Sequence, residues 1–113
     1  MVIGGGYNDI YATATEITNG IADCKTIIAS KFPNATMCVG FIGNTTNANL
    51  ATNITNTRDR WQSGTSSAGA VWLNNLNVLT NSSLFSSDGI HPNSAGQSAI
   101  TSAVIDAMNN QLL

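Results

Sequence analysis

The chain has 113 residues, of which 42% are hydrophobic and 9% are charged, and its formal net charge is −2 at pH 7. This length suits one small domain with a modest core. The four basic residues, Lys25, Lys31, Arg58 and Arg60, form no cluster that could neutralise a run of phosphates, so we expect no nucleic-acid partner. No apolar run approaches the length of a membrane span, so we expect none, and any export signal would have to lie upstream.

Asparagine, threonine and serine take the place of charge on the polar surface, as in "GNTTNANLATNITNT" (43–57). Such a surface is more common in secreted, cell-surface or phage-borne proteins than in cytoplasmic ones. Composition therefore favours a secreted or cell-surface location.

The first half of the chain alternates strand and helix patterns. The apolar run "MVI" stops at "GGGYND" (4–9), as a strand does where it enters a glycine loop. Thr13 and Glu16 form a capping-box pattern that opens a helix over about 14–32, ended by Pro33-Asn34. Its apolar positions recur at helical spacing: Ile17, Ile21, Cys24 and Ile28. The run "ATMCVGFIG" (35–43) is short and almost wholly apolar, which predicts a strand buried on both faces of a parallel sheet.

The second half continues the alternation. A second helix is marked by Leu50, Ile54, Thr57 and Trp61. "SGTSSAG" (63–69) is interpreted as a loop and "AVWL" (70–73) as a short strand, and we expect Trp61 and Trp72 to be core residues. Asn93 or Ser94 caps a last helix with one apolar stripe, formed by Ile100, Ala103, Val104, Ala107, Met108 and Leu112. The order of elements predicts an α/β fold with right-handed crossovers.

The two cysteines, Cys24 and Cys38, lie far apart in the sequence, with no second pair and no nearby histidine, so they form no metal motif. Both fall on apolar faces. We expect buried free thiols, and a disulfide between them is the alternative. No metal and no cofactor is predicted.

Two polar motifs follow predicted strands, where the chemistry of α/β folds collects. "GGGYND" supplies Asn8, whose amide can donate to a developing oxyanion, and Gly6, which lets the backbone approach closely. "DGIHPN" (88–93) supplies Asp88 and His91, the only histidine of the chain. A carboxylate at this spacing can fix the imidazole tautomer, which leaves the other ring nitrogen free to take a proton from a hydroxyl nucleophile. We therefore expect Asn8, Asp88 and His91 to lie together at one end of the sheet.

These motifs resemble two sequence blocks of the SGNH, or GDSL-type, hydrolases. Gly6-Tyr7-Asn8-Asp9 is similar to the Gly-x-Asn-Asp block, and residues 88–93 are similar to the Asp-x-x-His block near the C-terminus. The resemblance implies a three-layer, flavodoxin-like parallel sheet with helices on both faces. It also implies a general base at His91, its orienting carboxylate at Asp88, an oxyanion-hole donor at Asn8, and Gly6 beside it. The implied substrates are acyl or acetyl esters, including carbohydrate esters.

The Gly-Asp-Ser nucleophile block of that family does not occur in the sequence. We therefore interpret residues 1–113 as the C-terminal portion of a single SGNH-hydrolase-like domain, inactive alone. We expect it to form a homodimer, or to associate with its missing N-terminal half, through the edge at residues 1–3. The alternative function is a non-catalytic α/β binding or structural module of a surface or phage protein.

Overall fold

The computed structural model describes the backbone of residues 2–5 and 7–112, and the side chains of residues 4, 5 and 8–112. Within these residues the strands and α-helices follow the order β1 (Val2–Gly5), α1 (Ala14–Lys31), β2 (Cys38–Phe41), α2 (Ala48–Ser67), β3 (Val71–Trp72) and α3 (Ser94–Leu112). Short 3-10 turns at Tyr7–Asp9 and Ser82–Leu84 precede α1 and α3. The predicted α/β class is confirmed, and the helices join the strands in the expected order.

The described strands form one parallel sheet in the order β1-β2-β3. Val2 lies beside Cys38 in the first pair, and Cys38 lies beside Val71 in the second. The carboxyl ends of all three strands therefore meet at one end of the sheet, where the loops after β1 and β2 emerge. β1 lies at the edge of the described sheet.

Neighbouring residues of β2 pack against different helices. Val39 belongs to a buried cluster with Ile17, Ile21 and Ile28 of α1. Cys38 belongs to a second buried cluster, which also contains Ala107 of α3 and two residues that follow β3, Leu73 and Leu76. This alternation follows from the two-residue period of a strand, and it explains why the run around β2 is continuously apolar.

The cysteines are free thiols, as the sequence predicted. Cys38 is buried in the cluster with Ala107, whereas Cys24 is half-buried and packs against the cluster that contains Val39. Burial raises the pKa of the Cys38 thiol. Cys38 is therefore the buried thiol that was predicted, Cys24 lies at the border of the core, and the disulfide alternative is wrong.

The predicted limits of α1 are close to those observed. The backbone N–H of Glu16 donates to Thr13 Oγ1 at 3.2 Å, and that of Thr13 donates to Glu16 Oε2 at 2.8 Å. This is the predicted capping box. The helix ends at Lys31, two residues before Pro33.

The predicted loop over 63–69 is wrong, because α2 continues to Ser67. Gly64 is buried against α1, where an added Cβ would lie 3.1 Å from Thr18 Oγ1. Thr65 is fully buried, and its hydroxyl donates to Trp61 O at 2.7 Å. Close packing of α2 against α1 thus overrides the weak helix propensity of "SGTSS". The helix ends at Ser67, and Gly69, two residues later, has φ +65° and accepts a hydrogen bond at its carbonyl oxygen from Lys25 Nζ at 2.9 Å.

The remaining elements are shorter than predicted or differ in detail. β2 spans Cys38–Phe41 rather than 35–43, and β3 spans Val71–Trp72 rather than 70–73. Trp61 and Trp72 are half-buried and pack against the cluster around Val39. In α3 the stripe contacts the core through Ala103, Val104, Ala107 and Leu112, but Met108 is 38% exposed, which the prediction missed. None of the described helices is long and apolar enough to cross a membrane.

Candidate functional site

The segment 88–91 folds back on itself and joins the Asp88 carboxylate to the His91 ring. Asp88 Oδ1 accepts hydrogen bonds from the backbone N–H groups of Ile90 and His91, both at 2.9 Å. Asp88 Oδ2 lies 2.5 Å from His91 Nδ1. Gly89 has φ +68°, a left-handed conformation that glycine adopts without strain and that the turn requires. The turn within residues 88–91 therefore brings the carboxylate and the imidazole together.

The electrostatics of this pair favour a charged carboxylate. The hydrogen bond from the His91 side chain, followed by those from the backbone of Ile90 and His91, lowers the pKa of Asp88 from 3.8 to about 2. With Nδ1 held by Asp88, Nε2 of His91 has no partner among the described residues. The His91 side chain is 77% exposed, so Nε2 can accept a proton from a bound molecule.

Short-range contacts close the loop that carries the pair. Phe85 and Pro92 form an isolated antiparallel bridge, and the backbone N–H of Ser86 donates to His91 O at 2.7 Å. Asn93 Nδ2 donates to Ser83 O at 2.8 Å and to Phe85 O at 3.0 Å. Asn93 Oδ1 also accepts from the backbone N–H of Gly96 at 3.0 Å, so Asn93 is the predicted N-cap of α3. The start of α3 therefore fixes the position of His91.

The loop after β2 holds the same segment from the other side. Thr45 Oγ1 donates to Gly89 O at 3.0 Å, and the backbone N–H of Thr46 donates to the same oxygen at 3.2 Å. Asn44 Nδ2 donates to Asn77 Oδ1 and to Leu79 O, each at 2.7 Å. The bonds from Thr45 and Thr46 tie the loop after β2 to the segment that contains Asp88 and His91, and the bonds from Asn44 tie it to the loop after β3.

A cavity of about 500 Å³ opens at this end of the sheet, beside His91. Its described lining consists of Gly4, Gly5, Asn8, Asp9, Ile42, Gly43, Asn44, Leu79, Ile90, His91, Pro92 and Ile100. Asn8 and His91, 83 positions apart in the printed sequence, thus line one cavity. Asp88 is not part of the described lining, but it is hydrogen-bonded to His91, which is. No Ser, Thr or Cys side chain occurs among the lining residues that the structure describes.

Asn8 reaches the cavity from the 3-10 turn that follows β1. Its side chain is exposed and has no hydrogen-bond partner within the described part of the chain. The amide is therefore free to donate to a bound molecule. Gly6, the other predicted oxyanion residue, lies outside the described residues.

Sequence reasoning overlooked part of this cavity. Ile42 and Asn44 follow β2 just as Asn8 follows β1, so the strand-end argument could have identified them. Leu79 and Ile100 carry no comparable signal, because apolar residues in a loop and in a helix suggest only core packing. Within the described residues, no group of three or more His, Cys, Asp or Glu side chains could hold a metal ion.

No protein-family model, curated protein or solved structure matches this chain. The resemblance to the SGNH hydrolases therefore rests on its two motifs, and functional inference rests on the geometry around His91.

The Asp88 carboxyl provides a direct measurement of that geometry. We expect the titration midpoint of Asp88 to lie near pH 2 in the folded chain. In His91→Ala the midpoint should rise toward 3.8 but stay below that value, because the backbone donors to Asp88 are still present. Since the folded carboxyl binds its proton more weakly than the unfolded one, its contribution to stability is present above pH 3.8 and disappears as the pH falls through about 2. Carboxyl ¹³C shifts across this range measure the midpoint. Equal midpoints in wild type and His91→Ala would contradict the pairing.

Proposed function

We propose that this chain is the C-terminal portion of an SGNH-type ester hydrolase and supplies its general base and one oxyanion donor. The observation that carries the proposal is the shared cavity of Asn8 and His91, with Asp88 bonded to the far side of the imidazole. Acyl transfer to a hydroxyl nucleophile requires a base held in one tautomer and a hydrogen-bond donor for the oxyanion. His91 and the Asn8 amide would supply these two groups.

In the proposed reaction, His91 Nε2 removes the proton of a serine hydroxyl as the serine oxygen bonds to the ester carbonyl carbon. The carbonyl oxygen becomes an oxyanion and accepts a hydrogen bond from the Asn8 amide. Collapse of this intermediate breaks the bond to the alcohol oxygen, which leaves with the proton from His91. Water then repeats both steps and releases the acid. Asp88 stays ionised and stabilises the imidazolium in each step.

The serine would come from an upstream segment that carries the Gly-Asp-Ser block. Two observations support this division. The described lining of the cavity has no hydroxyl or thiol side chain, and β1 pairs with β2 on one side while it lies at the edge of the described sheet. A strand added beside β1 would place its own carboxyl end next to Asn8. The complete domain would then be a three-layer, flavodoxin-like α/β fold. The buried clusters that contain Val39 and Cys38, one on each face of β2, would continue over the added strands.

An unpaired strand edge also favours association with another chain. We propose that, without the upstream segment, a second copy of this chain occupies the β1 edge as a homodimer. The ester substrate would be a small molecule or a carbohydrate ester, and the surface rich in asparagine and threonine is consistent with a secreted or cell-surface enzyme.

Fragment complementation tests the proposal. We expect the isolated chain to hydrolyse a simple aryl acetate no faster than His91→Ala, because the base has no hydroxyl to activate. Addition of an SGNH-hydrolase fragment that contains the Gly-Asp-Ser block should restore turnover and replace the homodimer by a heterodimer. Stopped-flow hydrolysis measures the first effect, and light scattering during size-exclusion chromatography measures the second.

The matched control is the same fragment with alanine in place of its nucleophilic serine, which should bind without restoring turnover. A burst of acylation by the isolated chain would contradict the upstream nucleophile. A heterodimer that stays inactive would favour the alternative, a non-catalytic α/β binding or structural module.

A further inference from the structure

We infer that the cavity beside His91 binds the acyl chain of the ester, and that this chain is aliphatic and several carbons long. The inference rests on the proposed function, and it concerns which part of the substrate occupies the cavity. Three of the four isoleucine and leucine side chains in the described lining carry it, and the fourth, Ile90, is the sequence neighbour of His91. Ile42, Leu79 and Ile100, named the aliphatic wall, line the cavity together with Asn8 and His91.

The members of the aliphatic wall come from separate elements that converge on one space. Ile42 follows β2 and packs against the cluster that contains Cys38. Leu79 is only 4% exposed, and Ile100 is half-buried on α3. Their apolar surface faces a cavity of about 500 Å³, whose size falls in the range of small-molecule sites. Burial of an alkyl chain there would remove apolar surface of both partners from water.

Once Asn8 and His91 hold the ester, the polar side chains of the described lining that remain for a sugar ring are Asp9 and Asn44. The Asn44 amide lines the cavity, but both of its N–H bonds are engaged, by Asn77 Oδ1 and by Leu79 O, and Asn44 Oδ1 accepts from the backbone of Thr45. No aromatic side chain occurs in the described lining, so the stacking platform that a sugar face favours is absent from that part of the site. A buried sugar would therefore lose water and gain few partners for its hydroxyls.

We assign the acyl end of the ester to the cavity, with its carbonyl group held by Asn8 and His91, which line it together. The free Asn8 amide donates to the carbonyl oxygen, so the carbonyl carbon lies between Asn8 and His91. A chain attached to that carbon continues directly toward the aliphatic wall. The alcohol part then leaves on the side of the exposed His91 ring, where a carbohydrate or another large alcohol meets no restriction.

A series of methyl esters tests this assignment on the whole 113-residue chain, which has no Gly-Asp-Ser block and is expected not to hydrolyse them. We expect the affinity to rise about 4-fold for each methylene from methyl acetate through methyl butanoate to methyl hexanoate, since each methylene is buried. NMR titration measures the dissociation constants, and the Asn8 side-chain amide and the Ile100 methyl signals should shift together. An affinity that does not grow along the series would overturn the inference.

Pentyl acetate and methyl hexanoate are isomers, so they separate the acid side from the alcohol side at equal apolar content. We expect methyl hexanoate to bind more tightly and to shift both the Asn8 and the Ile100 signals. Tighter binding of pentyl acetate, with both signals shifted, would assign the cavity to the alcohol and overturn the inference.

Ile100→Thr should weaken methyl hexanoate binding about 5-fold and change methyl acetate binding little, because only the longer chain reaches residue 100. The matched control is Ile105→Thr on the same helix, a residue that is 53% exposed and outside the cavity lining. Equal weakening of methyl hexanoate binding by both variants would count against the aliphatic wall.

The complemented enzyme separates this inference from the proposed function. If complementation fails but the affinity still rises along the methyl-ester series, the proposed reaction is wrong and the aliphatic site is supported. If complementation succeeds but kcat/KM is the same for an aryl acetate and an aryl hexanoate, the reaction stands and the aliphatic site is wrong.

Discussion

Asp88→Asn is expected to lower kcat of the complemented enzyme by about 10⁴-fold while the loop keeps its fold. The side-chain oxygen of the introduced amide can still accept from the backbone of Ile90 and His91, so the turn at Gly89 is retained. The nitrogen of that amide, however, presents N–H toward Nδ1 of His91 in place of a carboxylate oxygen. His91 must then accept at Nδ1 and carry its proton at Nε2, which removes the lone pair that would take the serine proton in the proposed reaction.

Two measurements separate this effect from general damage. ¹⁵N shifts of the isolated chain above pH 8 should report an Nδ1–H tautomer in wild type and an Nε2–H tautomer in Asp88→Asn. Asp23→Asn, an exposed aspartate in α1, is the matched control and should leave kcat unchanged. An unchanged tautomer, or a loss of kcat below 10-fold, would mean that Asp88 does not orient the base.

The pairing of Asp88 with His91 was predictable because it is local. The two side chains are three positions apart, Gly89 supplies the left-handed turn, and the backbone bonds to Asp88 Oδ1 lie within the same segment. The capping box of α1 was predictable for the same reason. Where the interacting groups are adjacent in sequence, residue type and spacing contain most of the physical information.

Features that depend on packing between distant segments were not predictable in this way. Gly64 and Thr65 have weak helix propensity, and only their contact with α1 keeps them in α2. Leu79 and Ile100 meet because α3 packs beside the loop before it, which no periodicity encodes. Strand-end placement did bring Asn8 to the cavity of His91, because the ends of parallel strands share one side of the sheet. Its role as an oxyanion donor stays a prediction.

Gly96→Ala is expected to destabilise the chain by about 2 kcal/mol, although alanine is the better helix former. Gly96 is buried in the first turn of α3. An added Cβ would lie 2.2 Å from Leu84 O and 2.9 Å from the Cβ of Pro92. Leu84 O also accepts from the backbone N–H of Asn93, so the clash meets a backbone atom that cannot move alone.

Gly20→Ala provides the matched control with the opposite sign. Gly20 is exposed within α1, and nothing lies within 4 Å of its added Cβ. The substitution should therefore stabilise the chain by about 0.5–1 kcal/mol, because alanine loses less backbone entropy in a helix. For a domain of this size, thermal unfolding should show Tm lower by roughly 8–16 °C in Gly96→Ala and higher by a few degrees in Gly20→Ala.

The same clash should reach the site, because Pro92 and Leu79 both line the cavity of His91 and an added Cβ at Gly96 would lie 3.2 Å from Leu79 Cδ2. We expect displacement of α3 from Leu84 to separate Pro92 from Phe85 and to move His91 away from Asn8. We therefore expect Gly96→Ala to weaken methyl hexanoate binding at temperatures well below its Tm, whereas Gly20→Ala should bind as wild type does. If both variants shift Tm upward, the close approach of α3 to the segment before Asn93 is wrong, and with it the fixed position of His91.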